Sequence, residues 1–475
     1  MTSRRAVTPR CWSRGRSTYG TGEPVNASKA GGGIRPDGSW RNWAGNQRSY
    51  PVRVERPTTE AEVVDLVRRA VADDLRVRVV GAGHSFTAVA RTDDVLVSLD
   101  ELTGLVAVDD ATGRATVRAG MRLCDLNPEL DARGLAMPNL GDIAYQSVAG
   151  AISTSTHGTG LGFQSIAAGV VGLRLVVGDG TVVVLDDDHD PDLRDVARVG
   201  LGALGVVTEV TLQCVPAFNL HAIDEIMAVD DVVAAFDSWA EETDHAEFFW
   251  MPHTGMAQVK RNTRTIEAPR PARNIGHAAR RRWKRFKNKE LLENVAFGAL
   301  NHMGRLRPSA IPRLNNLVFD EVGRAEYLTT SYEVFASERR VRFLEMEYAV
   351  PREHGLEAFS RVRSLIDALD RPISFPIEFR ILGSDDVPLS TAEGRDTCFI
   401  AVHVFRGTPF EQYFRGVEAI MDDYAGRPHW GKLHFQTAAT LACRYPQWGR
   451  FQEARDRLDP TRRFTNDHLT TVLGP

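Results

Sequence analysis

Val79-Val80-Gly81-Ala82-Gly83-His84-Ser85-Phe86 is a short apolar strand that runs straight into two glycines. It opens like a dinucleotide fingerprint, and Asp100 stands near the distance at which such a unit places its ribose-binding acid. The third glycine is missing, because position 86 is Phe, and Thr87 to Asp94 offers no amphipathic helix whose N-terminus could face a pyrophosphate. The pattern therefore argues against a Rossmann site. What remains is a tight glycine turn whose backbone N–H groups can approach phosphate, followed at once by an imidazole and a hydroxyl.

Upstream, Pro57-Thr-Thr59-Glu-Ala-Glu62 has the form of a capping box. Val63, Val64, Leu66, Val67, Ala70 and Val71 then recur at helical spacing to about Asp73, so a helix precedes the strand. Downstream, Ser147-Val-Ala-Gly150-Ala-Ile-Ser-Thr-Ser-Thr-His157-Gly158-Thr-Gly160 is almost all small and hydroxyl residues. Such a run is poor core and suits backbone lying flush against a polar ligand. Gly202-Ala-Leu-Gly205-Val-Val207 is a third close-approach segment, and three of them point to one long ligand. Alternation in Val171 to Val184 around Gly178-Asp179-Gly180 predicts a hairpin, and a strand from Val206 to Cys214 ends at Pro216, where a domain boundary is expected.

Beyond Pro216 the chain reads as α+β, with strands at Phe343 to Val350 and Cys398 to Phe405 and a helix at Leu356 to Leu369. Residues 260 to 289 are strongly basic and read as a mobile surface loop. Residues 1 to 39 are glycine-rich, basic and nearly free of aliphatics, and read as a disordered tail with folding from Trp40.

The 475 residues are 43% hydrophobic, enough for a large core in two or three domains. A net charge of -4 gives no pull toward nucleic acid or anionic lipid, so no nucleic-acid partner is expected. No apolar run reaches the roughly 18 residues of a membrane span, so no integral membrane segment is expected. Five cysteines without a C-x-x-C pair fit neither a disulfide framework nor a zinc knuckle and point to a cytoplasmic location.

In the C-terminal half, Glu378 and Arg380 fall on one face of a strand by alternation, and Lys432 and His434 do so if their segment is extended. A structural salt bridge and an ordinary interior histidine at His403 are the competing readings. His403, His429, His434 and Glu378 would also suffice for a metal-dependent lactone hydrolase, although no H-x-H or H-E-x-x-H motif is present.

Asn42-Trp-Ala-Gly-Asn46, Gly81-Ala-Gly-His84-Ser-Phe86, Pro138-Asn139, Ser147 to Gly160, Gly202 to Thr208, Pro428-His-Trp-Gly-Lys432 and Leu458-Asp-Pro460 to Asn466 together resemble the aldonolactone oxidoreductases. These belong to the vanillyl-alcohol-oxidase-like flavoproteins and include L-gulonolactone, D-arabinono-1,4-lactone and alditol oxidases; His-Trp-Gly-Lys is the most specific of the motifs. The resemblance implies an α+β chain. A two-subdomain FAD-binding domain of the vanillyl-alcohol oxidase and p-cresol methylhydroxylase type would span residues 40–216 and 433–475, with an α+β substrate cap at 217–432.

It implies FAD, bonded covalently through His84 to the flavin 8α-methyl. The cofactor would lie against Gly81, Ala82, Gly83, Ser85, Gly141, Ser147, Gly150, Ser153, Thr156, His157, Gly158, Val206, Val207 and Asn466. No cysteine follows His157, so a second covalent bond is not expected. Catalysis would fall to Glu378, Arg380, His403 and Lys432, with Asp142 and Glu345 facing substrate. A hydride would pass from a carbinol carbon to flavin N5, either Glu378 or His403 would take the hydroxyl proton, and Arg380 and Lys432 would stabilise developing charge. The substrate expected is a sugar 1,4-lactone of the L-gulono or D-arabinono type, ahead of an alditol. Electrons would go to oxygen or another acceptor, and Gly141, lacking a Cβ to close the flavin wall, favours oxygen.

Overall fold

The computed structural model describes residues 32–270, 297–319, 324–336 and 341–475. The helix Glu60–Ala72 starts as its sequence dictates, with Thr59 accepting from Glu62 N. The return bond goes one residue further back, from Thr58 N to Glu62 Oε2 at 2.7 Å. Val63, Leu66, Val67 and Ala70 bury against Val77, Val95 and Val97 of a three-stranded parallel sheet, Arg53–Glu55, Val95–Ser98 and Val77–Val80. A five-stranded antiparallel sheet follows in the order Val182–Leu185, Val170–Val176, Val206–Gln213, Arg114–Arg118, Leu105–Asp109. The helices Trp448–Leu458 and Asp467–Leu473 return to it, and Phe451, Leu458, Leu469 and Val472 share its core.

The remaining sheet has eight strands, ordered Ala325–Thr330, Asn219–Ala228, Met256–Thr265, His245–Trp250, Ile377–Leu382, Thr397–Phe405, Phe343–Pro351, Arg427–Pro428. Its alternation decides where the chemistry lies. Phe248, Ile377, Phe379, Ile400, Val402, Leu344 and Met346 pack into one core beneath the helices Val229–Glu242, Gly355–Asp367 and Glu411–Asp422. The intervening Glu247, Glu378, Arg380, His403, Glu345 and Glu347 point to the opposite face, and they too are buried.

Three expectations are corrected. Residues 32–39 are not tail: Gly33–Ile34 pairs with Trp40–Arg41, and Gly32 N donates to Ala82 O at 2.8 Å. Lys260 to Thr265 is not loop but the end of a central strand, because its backbone pairs with Asn219 to Asp224 on one side and, up to Asn262, with His245 to Glu247 on the other; residues 271–289 of the basic stretch and 1–31 of the tail lie outside the described residues. Lys432 and His434 do not share a strand face, since their segment turns after Pro428. His434 instead packs against His468, with ring centroids 6.1 Å apart.

Among the described residues no helix is long and apolar enough to cross a membrane. Cys124, Cys214, Cys398 and Cys443 are free thiols.

Candidate active site

The glycine turn after Val77–Val80 is crowded on both sides. A Cβ on Gly81 would lie 2.1 Å from Ser147 Oγ, and one on Gly83, at φ +68°, 2.9 Å from Gly32 Cα. Ser147 is there to cap the helix Val148–Ser153, accepting from Gly150 N at 3.2 Å, and Ser153 O closes that helix by receiving Leu201 N. Phe86 N then donates to Gly431 O at 2.7 Å and Thr87 Oγ1 to Trp430 O at 3.1 Å. The His-Trp-Gly-Lys segment thus fastens the glycine loop to the large sheet, where His429 N and Leu433 N donate to Glu347 O and Glu345 O. Buried Trp430 anchors the segment by donating Nε1–H to Leu389 O at 2.7 Å.

Between these parts lies a cavity of about 580 Å³. Its wall contains His84, Ser85, Gly141, Asp142, Thr156, His157, Glu345, Glu378, Arg380, His403 and Lys432. Eleven residues singled out from sequence are therefore brought together from distant segments. Gly81, Ala82, Gly83, Ser147, Gly150, Ser153, Val206 and Val207 stand outside that wall, around the turn, the short helix and the strand Val206–Gln213, and Gly158 stands outside it against Asn139 and Leu140. Asn466 has a different task from the cofactor contact expected of it. Its Nδ2 donates to Ala88 O, Val89 O and Arg91 O and its Oδ1 accepts from Leu469 N, so the amide's donors are spent on tying the C-terminal helix to the loop after Phe86.

Two cations dominate the cavity. Arg380 donates from Nε to Glu247 Oε2 at 2.8 Å, and its Nη2 meets Asp142 Oδ1 at 2.9 Å and also Glu378 Oε1. Lys432 Nζ is paired with Glu345 Oε2 and sits 5.3 Å over the Phe86 ring. Burial alone would weaken both cations, but the surrounding carboxylates hold Arg380 well above and Lys432 above their usual ranges. Burial likewise opposes ionisation of Glu345, yet Lys432 and His403 overcome it and keep this carboxyl down at about 2. Glu378 ends differently. Burial raises it, Arg380 opposes, and Asp142, Glu247 and Glu347 add repulsion, so it rests at about 8 and carries a proton at neutral pH.

His403 Nδ1 bonds to Pro376 O at 2.9 Å and its Nε2 lies 3.5 Å from Glu345 Oε1. Asp142 and Glu345, read as substrate groups, each hold a cation first. His84 Nε2 is buried without a hydrogen-bond partner, and burial, with Arg122 and Lys432 nearby, pushes the ring down to about 3, so it is neutral. Gly141 does not keep a passage open: a Cβ there would sit 2.9 Å from His157 O and 3.3 Å from Thr156 Cγ2, striking protein first.

The hydrolase set does not assemble. Among the described residues the group close enough to share a metal is His157, Glu347 and His429, within 4.8 Å, not His403, His429, His434 and Glu378. Even this trio is unsuited. Gly431 N donates to His429 Nδ1, so the neutral ring carries its proton on Nε2 and has no lone pair for a metal.

Sequence reading missed Glu247 and Glu347. Glu347 was legible, since it repeats Glu345 at a spacing of two, as Arg380 repeats Glu378. Glu247, a lone acid in Ala246-Glu-Phe-Phe-Trp250, offered only its incongruity.

The D-arabinono-1,4-lactone oxidase family matches residues 210–472, and the FAD binding domain family matches residues 51–186. An L-gulono-1,4-lactone dehydrogenase from Mycobacterium tuberculosis is 47% identical, covering 92% of this chain and 99% of its own. An L-gulonolactone oxidase from Mus musculus is 31% identical, covering 91% and 98%. In fold, the chain is similar to a cholesterol oxidase from Brevibacterium sterolicum, with a TM-score of 0.73 at 19% identity over 92% of this chain and 96% of that one.

Proposed function

Since the chain belongs to the D-arabinono-1,4-lactone oxidase family and carries an FAD-binding domain, it is an FAD-dependent oxidoreductase of sugar lactones, and we propose the part each side chain plays. The residues fit the cofactor. The orphaned, neutral His84 Nε2 in the cavity wall supports a covalent link to FAD, and the glycine turn before it, packed tightly on Ser147 and Gly32, fixes where that ring stands. When bound, FAD supplies the oxidising step by accepting a hydride from the carbinol carbon.

The protein's share is charge, proton and orientation. Arg380 and Lys432 are fixed cations that stabilise charge developing as the hydride leaves, and they need no reorganisation because their carboxylates already hold them. Glu378 takes the hydroxyl proton, since a carboxyl poised near 8 is a far better base than one near 4. His403, tied to Pro376 O on one nitrogen and facing Glu345 with the other, orients rather than accepts. Trp43, Phe343 and Phe375 form an aromatic side of the cavity that excludes water.

The observation that carries this reading is the pairing of Glu378–Arg380 with Glu345–Lys432 in the same wall as His84. The substrate proposed is L-gulono- or D-arabinono-1,4-lactone. The acceptor proposed is one other than oxygen, supported by the name of the 47% identical relative, while Gly141 offers no argument for oxygen because its missing Cβ would point into protein. Turnover of both lactones, xylitol and sorbitol, each with oxygen and with an artificial acceptor, tests it. An alditol with a higher kcat/KM than every lactone reverses the substrate; air-saturated turnover matching the artificial acceptor reverses the acceptor.

A further inference from the structure

Arg380 is one end of a charged row that runs straight across the large sheet. Backbone register sets Glu247 opposite Arg380, Lys260 opposite Glu247 and Asp224 opposite Lys260, so charge alternates over four adjacent strands. Arg380 Nε donates to Glu247 Oε2 at 2.8 Å, and Lys260 Nζ lies 3.3 Å from Glu247 Oε1. Tyr327, on the fifth strand, hydrogen-bonds to Asp224. Glu247 and Arg380 are 6% and 7% exposed.

Beside the row is a second cavity of about 20 Å³, walled in part by Asp142, Asp224, Lys260, Asn262 and Tyr327. That is room for one water, and buried Asn262 Oδ1 has no hydrogen-bond partner to compete with it. A row of buried charges is a poor way to stabilise a sheet. Apolar residues of similar volume commonly do as well or better, and the next row, Phe248 with Val259 and Phe379, is built that way. Only the Arg380 end of the ionic row reaches the larger cavity.

We propose that Glu247, Lys260 and Asp224 are positioning residues, which lock the Arg380 guanidinium with Nη2 on Glu378 and Asp142 and set the field in which Glu378 takes and releases its proton. The proposal rests on the roles given above to Glu378 and Arg380. Its physics is direct. A guanidinium is a rigid planar fork, so fixing Nε on Glu247 fixes where Nη2 points. Glu378 is faced by Arg380 on its own strand, Glu247 on the neighbouring strand, Asp142 from the loop after Leu140, Glu347 from Phe343–Pro351 and Lys432 from the segment after Pro428. Removing the negative charge of Glu247 makes Glu378 easier to ionise; removing the positive charge of Lys260 makes it harder.

Glu247→Gln and Lys260→Met holoenzymes test this with two readouts. One is the pH profile of cofactor reduction by lactone. The other is the infrared carbonyl band of protonated Glu378, identified by its loss in Glu378→Gln and titrated without substrate. Glu247→Gln should slow reduction by about 10- to 100-fold with KM within about threefold. It should also move both midpoints down by about half a pH unit or more, Lys260→Met should move them up, and Glu247→Asp should restore them. Midpoints within about 0.2 unit of wild type in both charge variants, or a change in KM alone, would overturn the proposal. If Glu247→Gln does not fold, the Lys260→Met band decides. If no lactone reduces the wild-type cofactor, the substrate reading fails while the band still tests the row.

Discussion

Arg380 and Lys432 look alike as buried cations, but Arg380 answers to three carboxylates and Lys432 is paired with one. Replacing either with Ala is expected to slow cofactor reduction by ~10² to 10³ while changing substrate binding much less, because each acts on charge that appears during the reaction. Stopped-flow reduction within about threefold of wild type would remove them from the chemistry. Glu378 supplies a pH signature. Its carboxyl sits at about 8, so the base form is scarce at pH 6, and reduction should quicken as pH rises through 8. A flat profile between those values would assign the proton elsewhere. For His84, acid-precipitated wild-type protein should keep its flavin fluorescence, and His84→Ala should release it. Complete release from wild type leaves His84 as a contact alone.

At the scale of elements, two of the three close-approach segments and the C-terminal return are held together by a single side chain. Arg78, on the strand Val77–Val80, is 1% exposed and, among the described residues, forms no ion pair with a carboxylate, Asp459 acting on it only from a distance. Its guanidinium donates to Val89 O, Leu201 O, Gly202 O and Phe464 O, joining the glycine loop, the Gly202 segment and the C-terminal return. Burial weakens its charge toward about 9, and the carbonyls compensate. Arg78→Met strands those carbonyls and should cost about 3 kcal/mol or more in denaturant unfolding of the holoenzyme. A loss under about 1 kcal/mol would mean water replaces the guanidinium.

Much at this scale was legible. The helix after Thr59, the hairpin around Gly178 and the strands carrying Glu378 and His403 follow from periodicity, which depends on neighbours a few residues apart. Arg78 was not, because Val77-Arg-Val-Val80 reads as an ordinary alternating strand with a solvent-facing arginine. Gly141 misled for a similar reason: a missing side chain does not disclose which neighbour lies where it would have been.

Across the whole molecule, two units meet through hydrogen bonds to backbone carbonyls. Gly160 N donates to Ile381 O at 2.7 Å, Phe86 N to Gly431 O at 2.7 Å and Thr159 Oγ1 to Ala246 O at 2.6 Å. The catalytic groups of the large sheet therefore sit at a fixed height over the glycine turn. Pairings between residues this distant lie beyond what local patterns encode, so the cavity could be expected only by resemblance. The bond from Arg78 to Phe464 spans 386 residues, and it bears on manufacture as well as on stability. A ribosome adding about 5–20 residues per second needs roughly 20–80 s to deliver Phe464 after Arg78. During that interval the N-terminal half holds a buried-type arginine with an unfilled socket. The cofactor pocket is thus finished only after Phe464 has been delivered, and chains terminated near residue 440 should emerge colourless.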